Sequence, residues 1–206
     1  MEEEVSIAAG EITLEGRLFS GRAGPGVIIT HPHPLFGGNL DNNVVLTAQC
    51  AFQSLGWATL RFNFRGVGRS TGTYGQGLGE VEDLAAAREF LAARVPGPVL
   101  VAGYSFGAYV AARALLQGLA APGALLISPP VAFMDLTFLP QVPGLGLIVA
   151  GDKDDICPLA ALKALLAKHP APPELVVVAG ADHFWGGREE KLFQILTGRF
   201  RLPPYG

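Results

Sequence analysis

The chain has 206 residues, a length suited to one domain with a single buried core. Half of it is apolar and only 16% is charged, which excludes a disordered chain. Net charge is −3 and no Lys/Arg cluster stands out, so the electrostatic footprint of a nucleic-acid binder is missing. No apolar run reaches the ~18–20 residues of a membrane span. The acidic start Met1-Glu2-Glu3-Glu4 is unlike a signal peptide, so a cytoplasmic location is expected. Cys50 and Cys157 form no disulfide framework or metal-binding spacing and read as two buried or half-buried thiols.

Glu4–Ala8 and Ile12–Phe19 alternate apolar with polar around Gly10, as a half-exposed hairpin at a sheet edge does. Gly26–Thr30 is a short buried strand. Asn43–Leu55 has helical spacing and stops at Gly56, and Trp57–Asn63 is strand-like. Gly79–Arg94 carries Val81, Leu84, Ala87, Phe90 and Leu91 at the three-and-four spacing of an amphipathic helix. Then come strand Pro98–Gly103, helix Ser105–Leu116, strands Ala124–Ser128 and Leu145–Ala150, helix Leu159–Lys168, strand Leu175–Val178 and helix Glu189–Leu196. The tracts around Pro170 and at Pro203-Pro204 read as a loop and a tail. Strands alternating with helices predict an α/β fold, a mostly parallel twisted sheet of about eight strands with helices on both faces, as one domain over 1–206. Such sheets bind ligands outside the carboxyl ends of their strands.

The chemistry-bearing side chains fall at those ends. Gly103-Tyr104-Ser105-Phe106-Gly107 joins the apolar run Val99–Ala102 to a helix. With 27 glycines in the chain, a chance match to Gly-x-Ser-x-Gly is expected roughly 0.1 times, so placement matters more than the string. A serine on a sharp strand-to-helix turn is exposed for attack, and the helix start offers free N–H groups to an anion. Asp154 and His183 follow later strands, giving the order serine, acid, histidine. Asp152 and Asp155 compete with Asp154; the spacing Gly151-x-x-Asp154-x-x-x-Pro158 leaves room for the chain to turn Asp154 back toward the sheet. Among the other histidines, His169 reads as a solvated helix cap. His31-x-His33 lacks a third ligand at sensible spacing, so no metal is expected. Gly66-x-Gly68 opens no helix and is no nucleotide fingerprint; tight turns with Arg65 as an ion-pair or hydrogen-bond donor account for it.

Together these residues resemble the α/β-hydrolase fold superfamily, and within it small dienelactone-hydrolase-like serine hydrolases with a minimal lid. The resemblance covers almost the whole chain. It rests on His31-Pro32-His33-Pro34-Leu35-Phe36-Gly37-Gly38, Asp41-Asn42, Arg61-Phe62-Asn63-Phe64-Arg65-Gly66-Val67-Gly68-x-Ser70, the serine elbow, and the acid and histidine loops. Dienelactone hydrolases proper have a cysteine where this chain has Ser105. The resemblance implies a triad of Ser105, Asp154 and His183, no cofactor, and a small acyl substrate. One oxyanion donor would be the Phe106 N–H and the other would come from the first loop, where Pro32 and Pro34 have none; His33 and Leu35 are the candidates, Leu35 preferred.

The segment from Pro129 to Pro143 is the only room for a lid, so an open site is expected. Leu35, Phe36, Tyr74, Phe106, Phe133, Met134, Phe138, Phe184 and Trp185 are its candidate apolar walls. The 129–143 segment could instead form a homodimer face. Expected activity is cleavage of small-to-medium carboxylic esters. Thioesterase, peptidase and acyltransferase chemistry use the same triad, and a binding module on the same fold is the alternative from outside enzymology.

Overall fold

A computed structural model describes residues 2–22 and 24–201; the Pro203-Pro204 tail lies outside the described residues. The strands are β1 (Glu3–Ala9), β2 (Ile12–Phe19), β3 (Gly26–Thr30), β4 (Ala58–Phe62), β5 (Val99–Tyr104), β6 (Ala124–Ile127), β7 (Leu145–Gly151) and β8 (Glu174–Val178). The helices are α1 (Asn43–Ser54), α2 (Gly79–Ala92), α3 (Phe106–Leu116), α4 (Leu159–Leu166) and α5 (Glu189–Phe200). The strands make one eight-stranded sheet in the order β1-β2-β4-β3-β5-β6-β7-β8. β1 pairs antiparallel with β2, and β2 antiparallel with β4; from β4 to β8 all pairing is parallel. The fold is that of the α/β hydrolases.

The two-residue period of the strands divides the core. On β5, Val99 and Val101 face one side, packing with Leu84, Val110 and Leu162 of α2, α3 and α4. Ala102 and Tyr104 face the other, with Val44, Ala48 and Leu192 of α1 and α5. Both faces of the central strands are therefore covered, which is why they read as continuous apolar runs. Among the described residues no helix is long and apolar enough to cross a membrane.

β2 and β3 fall where the sequence reading puts them, and where other element ends differ they do so by one to four residues. α5 runs four residues beyond Leu196, because Phe200 packs on Phe52 and Trp57, at ring distances of 5.1 and 6.0 Å. Cys157 is buried, but Cys50 is exposed, on the outer face of α1. His169 is half-buried rather than solvated. It accepts the Ala171 N–H on Nδ1 and donates from Nε2 to the Val142 carbonyl, fastening the proline loop to the core. Arg65 is the expected structural donor: its guanidinium bonds Asp83, which is wholly buried, and Glu82 at the surface. Gly66 and Gly68 have φ of 76° and 57°, the tight turns that glycine permits.

The 129–143 segment closes over no site. Leu136, Leu139 and Val142 are buried, which pins the segment to the α2–α4 side of the sheet.

Candidate active site

Ser105 sits between β5 and α3 at φ 54°, ψ −117°. Such a backbone costs of order 1–3 kcal/mol for a non-glycine residue and persists only where packing enforces it. The enforcement is visible at the two flanking glycines. A Cβ on Gly103 would lie 2.5 Å from the Gly107 carbonyl oxygen, and one on Gly107 would lie 2.5 Å from the Thr30 hydroxyl. Strand β5, helix α3 and the end of β3 thus approach more closely than any side chain allows. The Ser105 N–H donates to the Ile127 carbonyl at 2.9 Å, holding the turn against β6.

The acid loop leaves β7. Asp154 Oδ1 accepts the N–H groups of Ile156 (3.0 Å) and Cys157 (2.8 Å), which fixes the carboxylate before any histidine is considered. The histidine loop leaves β8 and is braced by the other aspartates. Asp152 accepts the Gly180 N–H at 2.7 Å, and Asp182 accepts those of Phe184 and Trp185 at 3.0 and 2.9 Å. Asp155 is exposed. The competition among neighbouring aspartates is thereby resolved in geometry: Asp152 and Asp182 shape the loop, and Asp154 faces the histidine.

The three loops bring Ser105, His183 and Asp154 into line. His183 Nε2 is 2.8 Å from the Ser105 oxygen, and Nδ1 is 2.9 and 3.0 Å from the Asp154 oxygens. All three side chains are buried. Because Asp154 can only accept, Nδ1 carries the proton and Nε2 is free to accept from the serine hydroxyl. Burial pushes the Asp154 carboxyl pKa up, but the His183 hydrogen bond and charge, the Ser128 hydroxyl and the Cys157 N–H outweigh it and hold it below the usual value. Tyr104 donates its hydroxyl proton to the His183 carbonyl at 2.7 Å, with its ring beside the imidazole.

At the helix start, the Phe106 N–H has no acceptor among the described residues. On the first loop, Pro34–Phe36 winds into a 3-10 turn, and the Leu35 N–H donates to His33 Nδ1 at 3.2 Å. This corrects the preference for Leu35: its N–H is engaged, its side chain is two-thirds exposed, and it does not border the cleft. The His33 N–H has no acceptor among the described residues, and His33 does border the cleft. With Nδ1 accepting, His33 Nε2–H donates to the Tyr74 hydroxyl at 3.1 Å. His31 is engaged at both ring nitrogens, donating from Nδ1 to the Pro32 carbonyl (2.6 Å) and accepting the Phe64 N–H on Nε2 (3.0 Å). Both ring nitrogens of each histidine are thus engaged within the protein.

A cleft of about 380 Å³ opens over Ser105. Of the predicted walls, Phe36 and Phe184 line it. Tyr74 and Phe106 stand behind His33, with ring distances to it of 5.1 and 4.8 Å. Met134 and Phe138 pack on the core instead, and Phe133, exposed, lies outside the lining. Trp185 is wholly buried: at φ 62° its backbone turns the indole inward, where Nε1–H donates to Ser128 at 3.0 Å. Sequence reasoning missed Tyr104, Ile156 and Asn42 as lining. Tyr104 lies inside the elbow string and Asn42 inside a motif quoted above, so position alone could have flagged both.

Comparison with known proteins agrees with this geometry. A profile of the alpha/beta hydrolase family matches residues 44–145. A structure described as an alpha-beta serine hydrolase homologue from Coxiella burnetii is 36% identical, with 96% of this chain and 97% of that one covered and a TM-score of 0.88. A protein from Xanthomonas campestris, described as an a/b serine hydrolase without lid, is 31% identical over 100% of this chain and 97% of its own, at TM-score 0.89. An uncharacterized protein of Rickettsia prowazekii (strain Madrid E) is 35% identical over 183 residues, 84% of this chain and 77% of the relative. The chain belongs to the alpha/beta hydrolase superfamily.

Proposed function

We propose that the protein is a serine hydrolase that cleaves carboxylic esters of small to medium acyl groups through an acyl-serine intermediate. The observation that carries this reading is the continuous line from Asp154 through His183 to Ser105, with contacts of 2.9 and 2.8 Å, at the carboxyl ends of β7, β8 and β5.

The steps follow from the tautomer. Ser105 oxygen bonds to the ester carbonyl carbon as its proton passes to His183 Nε2, and Asp154 stabilises the imidazolium without taking a proton. The carbonyl oxygen gains the charge and is met by the N–H groups of Phe106 and His33, at the positive end of α3. The C–O bond then breaks, and the alcohol leaves with the proton from Nε2. Water repeats the sequence on the acyl-serine: its proton goes to His183 and then to Ser105 as the acid departs.

A fluorophosphonate probe followed by mass spectrometry tests the nucleophile. The adduct is expected on Ser105, absent from Ser105→Ala and slowed in His183→Ala. A folded protein that takes no probe and turns over no p-nitrophenyl ester defeats the proposal.

A further inference from the structure

Asn42 is the N-cap of α1. Its Oδ1 accepts the Val44 N–H at 3.0 Å, which fixes which end of the amide is which. Its backbone groups are also committed, the N–H to Asn39 and the carbonyl to the N–H of Leu46. What remains is Nδ2, with two protons and no acceptor among the described residues. Asn42 is half-buried and lines the cleft over Ser105.

The other polar side chains at the cleft are already engaged. Ser105 and His183 hold each other, the Tyr104 hydroxyl is bonded to the His183 carbonyl, and the His33 ring is bonded at both nitrogens. The rest of the lining is apolar or glycine, and no Lys, Arg, Asp or Glu is among it. An apolar cleft with a few convergent polar groups is the usual design for orienting a small ligand, and beside the two backbone N–H groups of the oxyanion site Asn42 Nδ2 is the free side-chain donor among the described residues of the lining. A carboxylate or phosphate placed there would find no cation, so the complementary group is neutral.

We infer that Asn42 is a specificity-determining residue whose Nδ2–H binds a neutral acceptor oxygen of the substrate, an ether, ketone or hydroxyl oxygen outside the scissile ester group. The inference rests on the ester-cleaving reading above and names its substrate class: oxygen-substituted neutral esters over all-hydrocarbon ones.

Asn42→Asp and Asn42→Ser both keep an oxygen to cap Val44, so the helix keeps its start, and both remove the amide donor. Each is assayed on isosteric pairs in which one CH2 is replaced by oxygen. On the acyl side these are p-nitrophenyl methoxyacetate against butanoate, and 3-methoxypropanoate against pentanoate. On the alcohol side the pair is 2-methoxyethyl against butyl butanoate. The readout is the ratio of kcat/KM within a pair, variant over wild type, which cancels the intrinsic reactivity of each ester. For at least one pair, both variants are expected to lower that ratio roughly three- to tenfold, the span of a single neutral hydrogen bond, mainly through KM. Ratios within twofold of wild type for every pair, in variants that still take the fluorophosphonate on Ser105, overturn the inference and leave the hydrolase reading standing. A wild-type protein that takes no probe and cleaves no ester removes both.

Discussion

The indole Nε1–H of Trp185 donates to the hydroxyl of Ser128 at 3.0 Å, linking the turn after His183 to the end of β6 deep beneath the cleft. Ser128 has a left-handed backbone, φ 46°, and Trp185 another, φ 62°. Two strained residues are thus held by one hydrogen bond between buried side chains. Trp185→Phe keeps most of the ring and removes the donor. A loss of about 1–2 kcal/mol is expected, read as a fall in Tm of about 2–8 °C. KM for p-nitrophenyl butanoate should stay within twofold of wild type, because the indole touches no substrate. A several-fold rise in KM would restore Trp185 to the cleft wall.

Asp154→Asn tests the acid. The amide can no longer hold His183 in the tautomer with Nδ1 protonated, and a fall in kcat of about 10⁴ is expected with KM little changed. Steady-state kinetics on p-nitrophenyl esters check it. Asp152→Asn keeps an oxygen for the Gly180 N–H and should cost less than tenfold, since that carboxylate braces a loop and faces no reacting group.

His31 makes stability depend on pH. Burial is the largest influence on it, joined by the nearby His33 and opposed by the Pro32 carbonyl, and its pKa is pushed down to about 4 from 6.5. In the unfolded chain the imidazole takes a proton below about 6.5, while in the folded protein it refuses one until about 4. Stability is therefore fully present above pH 6.5, falls as the pH is lowered through that window, and levels off below 4, by about 3 kcal/mol in all. Urea unfolding between pH 7 and 4 measures this. His31→Asn should be less stable at pH 7, because the buried Phe64 N–H loses its acceptor, but should show a shallower pH dependence. An unchanged slope would assign the effect to other groups.

Two glycines make opposite predictions. Gly107→Ala drives a Cβ to 2.5 Å from the Thr30 hydroxyl and 2.6 Å from its carbonyl oxygen, a backbone clash no rotamer relieves. A loss of at least about 3 kcal/mol is expected, with the elbow displaced. Gly198→Ala, inside α5 with nothing within 4 Å of its Cβ, should gain about 0.5–1 kcal/mol. Chemical denaturation of the pair checks both signs.

The line of Ser105, Asp154 and His183 was legible because each follows a strand that is itself legible, and strand ends converge in a parallel sheet. The cleft walls were not. Phe184 and Trp185 are adjacent and both aromatic, and only the Asp182-capped turn and the positive φ of Trp185 send one outward and the other inward. Met134 and Phe138 read as a rim because spacing within an irregular segment carries no period, while Leu136 and Leu139 beside them bury that segment's face. The preference for Leu35 over His33 lacks one fact that spacing does not carry: the His33 ring turns back to take the Leu35 N–H.

The acid and histidine loops are tied down by short contacts to their own backbones and to each other, through Asp152, Asp154 and Asp182. The site is therefore expected to melt with the scaffold beneath it rather than in a softer stage of its own. Heat should end fluorophosphonate labelling of Ser105 and tertiary structure at one temperature, with no warm interval in which a folded but unreactive protein accumulates.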